Sequence, residues 1–122
     1  MAEDIDWEEV RELAARVEAG EALEFTPGVR ELLLRTAQQV AMPKSDAQAA
    51  VQDVATATTL LREIRTRIRN SSMRMMKARS EVRRLRQAGD TAGAREVMEH
   101  LLTVEVVPLY RELAEIALED LD

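Results

Sequence analysis

The sequence predicts an all-α protein, a helical bundle built on a long antiparallel helical hairpin, about 56–88 against 91–121, preceded by three shorter N-terminal helices. Three observations predict it. Apolar residues recur at spacings of three and four along most of the chain, the period of a helix rather than of a strand. Four segments open on helix-start signals. Trp7, Phe25 and Tyr110 are the only aromatic residues, so the core is left to Leu, Val, Ile, Ala and Met, as in helical bundles. With 122 residues, 46% of them hydrophobic, the chain suits a single domain over 1–122 with one core.

The first helix, about 6–18, opens at Ile5-Asp6-Trp7-Glu8-Glu9-Val10. Asp6 serves as N-cap, Glu9 reaches back from the third helical position, and Ile5 staples onto Val10. Val10, Leu13, Ala14 and Val17 line one face, and Gly20 ends it. Thr26-Pro27 starts a second helix, about 27–41, that buries Val29, Leu32, Leu33, Ala37 and Val40 and stops before Pro43. Ser45 and Gln48 make a capping box for a short third helix, about 46–53.

The first arm of the hairpin begins near Thr56 or Thr58 and carries Leu61, Ile64, Ile68, Ser71, Met75, Ala78, Val82 and Leu85 at alternating spacings of three and four. That is a heptad seam, suited to a helix lying alongside another. Gly89 then ends the arm and Asp90 caps the next one, which predicts a tight turn into an antiparallel partner. In the second arm Ala94, Val97, Leu101 and Val104 continue the seam. Pro108 removes a backbone donor and crowds the carbonyl of Val104 in a β-branched run, so a kink or short break is expected there. Val97, Met98, Leu101 and Leu102 cover a wider arc than one facing helix can bury. Either the N-terminal helices or a second copy, in a homodimeric four-helix bundle, would cover them, and the homodimer is slightly favoured.

Charge is segregated along the chain. Between Arg62 and Arg86 the balance is +8, whereas residues 1–26 and 90–122 each carry −7, within a net charge of −6. The basic residues include Arg62, Arg65, Arg67, Arg69, Arg74, Arg79, Arg83, Arg84 and Arg86. Compensation by the acidic first and last helices is the favoured expectation, and exposed pairs of that kind choose neighbours more than they stabilise. The alternative is a basic face for nucleic acid or an anionic surface. An acidic pI of 4.9, the lack of aromatics between the arginines and the lack of a nucleic-acid motif weigh against it.

Catalytic chemistry is not legible. There is no cysteine, which excludes disulfides and thiolate sites, and no P-loop, nucleophile elbow or dinucleotide glycine pattern. His100 is the only histidine, and Glu96 one turn before it does not make a di-iron set. No catalytic residue, metal ligand or cofactor is therefore expected. The opening MAEDIDWEEV lacks a signal-like apolar region, and no run is long enough to span a membrane, which makes a cytoplasmic protein the default. Met73, Met75 and Met76 follow Asn70-Ser71-Ser72, where helix propensity is weakest. Such methionines serve as flexible core filling or as an adaptable binding surface. On the second reading the partner-binding patch comprises Met73, Met76, Met98 and Leu102.

Five segments carry a family resemblance: DWEEVRELAARV, TPGVRELLLRTAQQVA, ATTLLREIRTRIRNSSMRM, LRQAGDTAGAREVMEHLL and above all VEVVPLYRELAEIALEDLD. Together they resemble the DUSAM domains of myxobacteria over nearly the whole chain. The resemblance implies a domain of unknown function without a catalytic motif, occurring as many paralogues, as a recruited interaction or regulatory module would. The functional expectation is thus a noncatalytic, helical module for protein–protein interaction, with nucleic-acid or anionic-surface binding through residues 62–86 as the alternative.

Overall fold

A computed structural model describes residues 5–121; Met1 to Asp4, the start of the acidic opening, and Asp122 lie outside the described residues. Six helices follow one another: α1 (Glu8–Glu18), α2 (Pro27–Gln39), α3 (Lys44–Ala50), α4 (Val54–Gln87), α5 (Thr91–Val104) and α6 (Pro108–Asp120). No strand occurs among the described residues, in keeping with the helical period of the sequence. The chain forms two compact units that divide between Ile68 and Arg69.

The first unit holds α1, α2, α3 and the beginning of α4. Its core takes Val10, Leu13, Ala14 and Val17 from α1, Leu32, Leu33 and Ala37 from α2, and Leu60, Leu61, Ile64 and Ile68 from α4. The helix starts differ from expectation in instructive ways. Asp6 does bind a first-turn amide, that of Glu8 at 2.9 Å, but the N-cap is Trp7. Trp7 is buried, and its indole N–H donates to Gln39 Oε1 at 2.9 Å, which fixes the chain one residue further on. Thr26 caps α2 as its sequence requires, accepting from the Val29 amide, with Pro27 in the first turn. Ser45 does not cap α3, because Pro43 already holds an extended ψ at the N-cap and its carbonyl accepts from Ala47. The long helix begins at Val54 rather than Thr56, since Asp53 accepts from the Thr56 amide and acts as its cap. That hydrogen bond holds the Asp53 carboxyl below the usual range.

The C-terminus of α2 carries a conformational cost. Ala41 sits at φ +64°, a left-handed conformation that glycine adopts freely. It is held there because the Met42 amide reaches back to Ala37 and the Ala41 amide to Gln38, closing the last turn. Arg67 of α4 donates to the Val40 carbonyl at 3.1 Å and so satisfies a helix end that would otherwise lack a partner.

The second unit holds the rest of α4 with α5 and α6. Gly89, at φ +78°, ends α4, and Asp90 Oδ1 accepts from the Gly93 amide at 2.8 Å to start α5, the tight turn that the Gly-Asp pair predicts. The second arm, expected over 91–121 with a kink or short break at Pro108, takes the break and is two helices. Residues Glu105 to Val107 leave the helical path, and α6 packs back against α5. The core of this unit joins Met75 and Ala78 of α4, Met98 and Leu101 of α5, and Ala114 of α6, with Val97, Leu102, Leu113, Ala117 and Leu118 packed around them. The wide apolar arc of α5 is therefore covered by α6. It makes no demand for a second copy of the chain.

Replacing Ala41 by glycine relieves the left-handed strain of a β-carbon and adds chain entropy to the unfolded state. We expect a net gain of about 0.5–1 kcal/mol, read as a higher urea midpoint at unchanged slope.

Candidate functional site

Chemically distinctive side chains in the second unit gather at the break between α5 and α6 and along the adjoining face of α4. Glu105 has a fully buried side chain. Its carboxylate accepts from Ser71 Oγ at 2.7 Å, from Arg74 Nε and Nη2 at 3.2 Å each, and from the Val106 and Val107 amides at 3.1 and 3.0 Å. Burial pushes the Glu105 carboxyl up. The Arg74 bond, followed by those from Ser71 and the Val107 amide, outweighs burial and leaves the group below its ordinary value. Arg111 closes the other side of the break, donating to the carbonyls of Leu102 at 2.7 Å and Glu105 at 2.8 Å. Thus the Leu102 carbonyl at the end of α5, the Glu105 carbonyl and the amides leading into α6 all have partners. No buried side-chain donor or acceptor here lacks a partner, so the cluster builds the site rather than being one.

What it builds is a groove. Pro108 forces Val107 into an extended conformation and starts α6. From there α6 runs beside α4, and an open groove of about 560 Å³ lies between them. Ser72, Met75, Met76, Arg79, Ser80 and Arg83 line it from α4, with Tyr110 and Leu113 from α6. Met75 forms the floor and is buried, whereas Met76 on the rim is 63% exposed.

The four residues of the sequence-derived patch are not brought together as one surface. Met73 and Met76 are exposed and one turn apart on α4. Met98 is 1% exposed and belongs to the core, while Leu102 is half-buried against the same cluster. Both are covered by α6, which sequence spacing placed at a distance by continuing the second arm through Val107.

Structure also sorts the nine arginines. Arg67 pairs with Glu63 on its own helix and caps α2, Arg74 is taken up by Glu105, and Arg84 pairs with Glu81. That last contact lowers the Glu81 pKa and raises that of Arg84. Arg69 is engaged as well. Arg65 is half-buried, and Arg62, Arg79, Arg83 and Arg86 are exposed; none of these five forms an ion pair among the described residues. For Arg67 and Arg84 compensation comes from Glu63 and Glu81 on α4 itself, whereas Arg74 pairs with Glu105 of the acidic 90–122 segment. His100 is exposed on α5, and no group of three or more His, Asp or Glu side chains converges among the described residues.

A family model described as a protein of unknown function, DUF2379, matches residues 5–121. The chain belongs to that family. The match spans both compact units, so the groove and the Glu105 cluster lie within the DUF2379 domain. No curated protein and no solved structure matches this DUF2379 chain.

A second hollow, of about 530 Å³, lies in the first unit between Phe25, Pro27, Leu34 and Val51. Of its larger apolar residues Phe25 and Leu34 are half-buried and Val51 is buried, and its Arg30 and Glu31 offset one another in charge. The α4–α6 groove instead combines an exposed apolar rim with two unpaired cations.

Ser71 and Glu105 escape sequence reading for different reasons. Ser71 is the one polar residue on the α4 seam, a visible anomaly; Glu105 lies among valines and resembles any helical surface acid.

Glu105→Gln removes the charge that Arg74 and the two amides recognise. Because Arg74 is partly exposed, the expected loss at neutral pH is about 2 kcal/mol. A carboxyl whose folded pKa is depressed stabilises above its unfolded value and loses that contribution as pH falls through the folded one. Urea titrations from pH 7 downward should therefore show the wild type and Glu105→Gln converging below about pH 4.

Proposed function

We propose that this chain is a noncatalytic interaction module that binds a protein partner through the groove between α4 and α6. The single observation that carries the reading is Met76, 63% exposed on a groove rim it shares with Arg79 and Arg83. An unbranched, polarisable side chain adapts to a partner's apolar surface, and the cations beside it select carboxylates. Apolar contact at the centre of such a patch supplies affinity, and the charged rim sets approach and partner choice. Met73 extends the apolar strip on α4 by one turn. Met98 and Leu102 act beneath the site, as packing that positions α6.

The DUSAM resemblance, carried most strongly by the segment around Glu105 and Pro108, supports a recruited regulatory module. No helix among the described residues is long and apolar enough to cross a membrane. A cytoplasmic setting fits the cysteine-free composition.

Nucleic-acid or anionic-surface binding is the second reading, favoured by the exposed Arg79, Arg83 and Arg86. No aromatic residue stands between them on α4, so no run of stacking rings accompanies the charge. Steep salt dependence of binding to a DNA or RNA duplex, lost on charge reversal at these arginines, would select it.

Quantitative affinity capture from the native cell, with wild-type chain compared against Met76→Glu, tests the main reading. Specific protein partners should be lost from the Met76→Glu capture by about tenfold or more, while Arg62→Glu retains them and both variants keep a wild-type circular dichroism spectrum. Partners unaffected by Met76→Glu would refute the groove.

A further inference from the structure

Resting on the reading of the groove as a docking surface, we infer that its occupant is an acidic amphipathic helix of a partner protein, laid alongside α4 with an aliphatic side chain on Met76 and carboxylates on Arg79 and Arg83. The groove itself supplies the charge argument. Of the residues that line it only Arg79 and Arg83 are charged, and no acid stands among them. Both are exposed, and neither forms an ion pair among the described residues. Glu81, two residues before Arg83, is held by Arg84 and does not line the groove. Two cations on one wall thus lack carboxylates, and an acidic segment entering the groove supplies them through charge-assisted hydrogen bonds.

Spacing names the form of that segment. Ser72, Met76, Arg79 and Arg83 follow one another at intervals of four, three and four residues. They make one stripe along about three turns of α4, roughly 16 Å from end to end. A helix lying alongside repeats its side chains at the same interval. Two acids four residues apart on it meet Arg79 and Arg83, and an aliphatic residue one turn away meets Met76. An extended segment fits less well, because no strand occurs among the described residues and its backbone finds no sheet edge to pair with. A helix arrives with its backbone groups already paired. A phosphate backbone would meet the two cations and leave the 63% exposed Met76 without an apolar cover.

The test uses charge exchange between the full chain and a synthetic helix. The probe is a capped, alanine-based peptide of about 18 residues, with two glutamates four residues apart and a leucine one turn before and one turn after them. Titrated by fluorescence anisotropy at physiological salt, it should bind with a dissociation constant below about 100 µM. Changing both glutamates to glutamine should weaken binding by about tenfold or more. Arg79→Glu with Arg83→Glu should lose the glutamate peptide and take up a counterpart carrying lysines there, an exchange that no misfolded variant can reproduce. A wild-type chain that ignores the peptide, or that binds the glutamine counterpart or a scrambled peptide of equal charge as tightly, would overturn the inference. So would a DNA duplex that binds through Arg79 and Arg83 as tightly as the peptide does. Failure of the peptide while cellular partners are still lost on Met76→Glu would leave the interaction reading standing and remove only the acidic helix as occupant.

Discussion

The buried carboxylate of Glu105 is the interaction on which the second unit depends. Taking such a charge out of water costs several kcal/mol, and attraction from one neighbour seldom offsets that alone. Here five hydrogen bonds converge on two oxygens, from the Ser71 hydroxyl, the Arg74 guanidinium and the amides of Val106 and Val107. Geometry of that kind is demanding. It is met only if the chain leaves the helix at Glu105, so the carboxylate specifies the break as well as stabilising it, and ties the break to one height on α4.

From that constraint the packing of α6 follows. Pro108 alone permits more than one outcome, since a proline inside a helix either kinks or breaks it. The Glu105 clamp on one side and Arg111 on the other make the full break the satisfied state. Among the described residues no buried side-chain nitrogen or oxygen is left without a partner. Folding α6 back brings Ala114 against Met98, and the small residue lets the helices approach closely. The same fold leaves Met76 on a rim with nothing of α6 above it, which is how an interaction surface arises from a structural break.

The arginines illustrate how position along a helix differs from position in a fold. Arg67, Arg74 and Arg84 are neighbours in composition to Arg79 and Arg83, yet they serve as a helix cap, a partner to a buried acid and a local surface pair. Arg79 and Arg83, four residues apart, face the groove. A face defined by counting basic residues is thus divided by geometry into structural and available cations. The available ones define the electrostatics that any partner meets.

Sequence by itself determined the helical class, the order of the helices, the Thr26 and Asp90 caps, the Gly89 turn and the apolar positions of α4, because these depend on local propensity, capping and a repeat of three and four. It also located the disruption at Pro108. Only tertiary structure decided what the disruption becomes, since Glu105 meets Ser71 and Arg74 across 34 and 31 residues of sequence. For the same reason the binding patch was half legible. Exposure of Met73 and Met76 is visible from their offset to the α4 seam, whereas burial of Met98 and Leu102 requires knowing that α6 returns over α5. Capping and periodicity act within a few residues along the chain; the path of α6 depends on a carboxylate whose partners are assembled only by the folded chain.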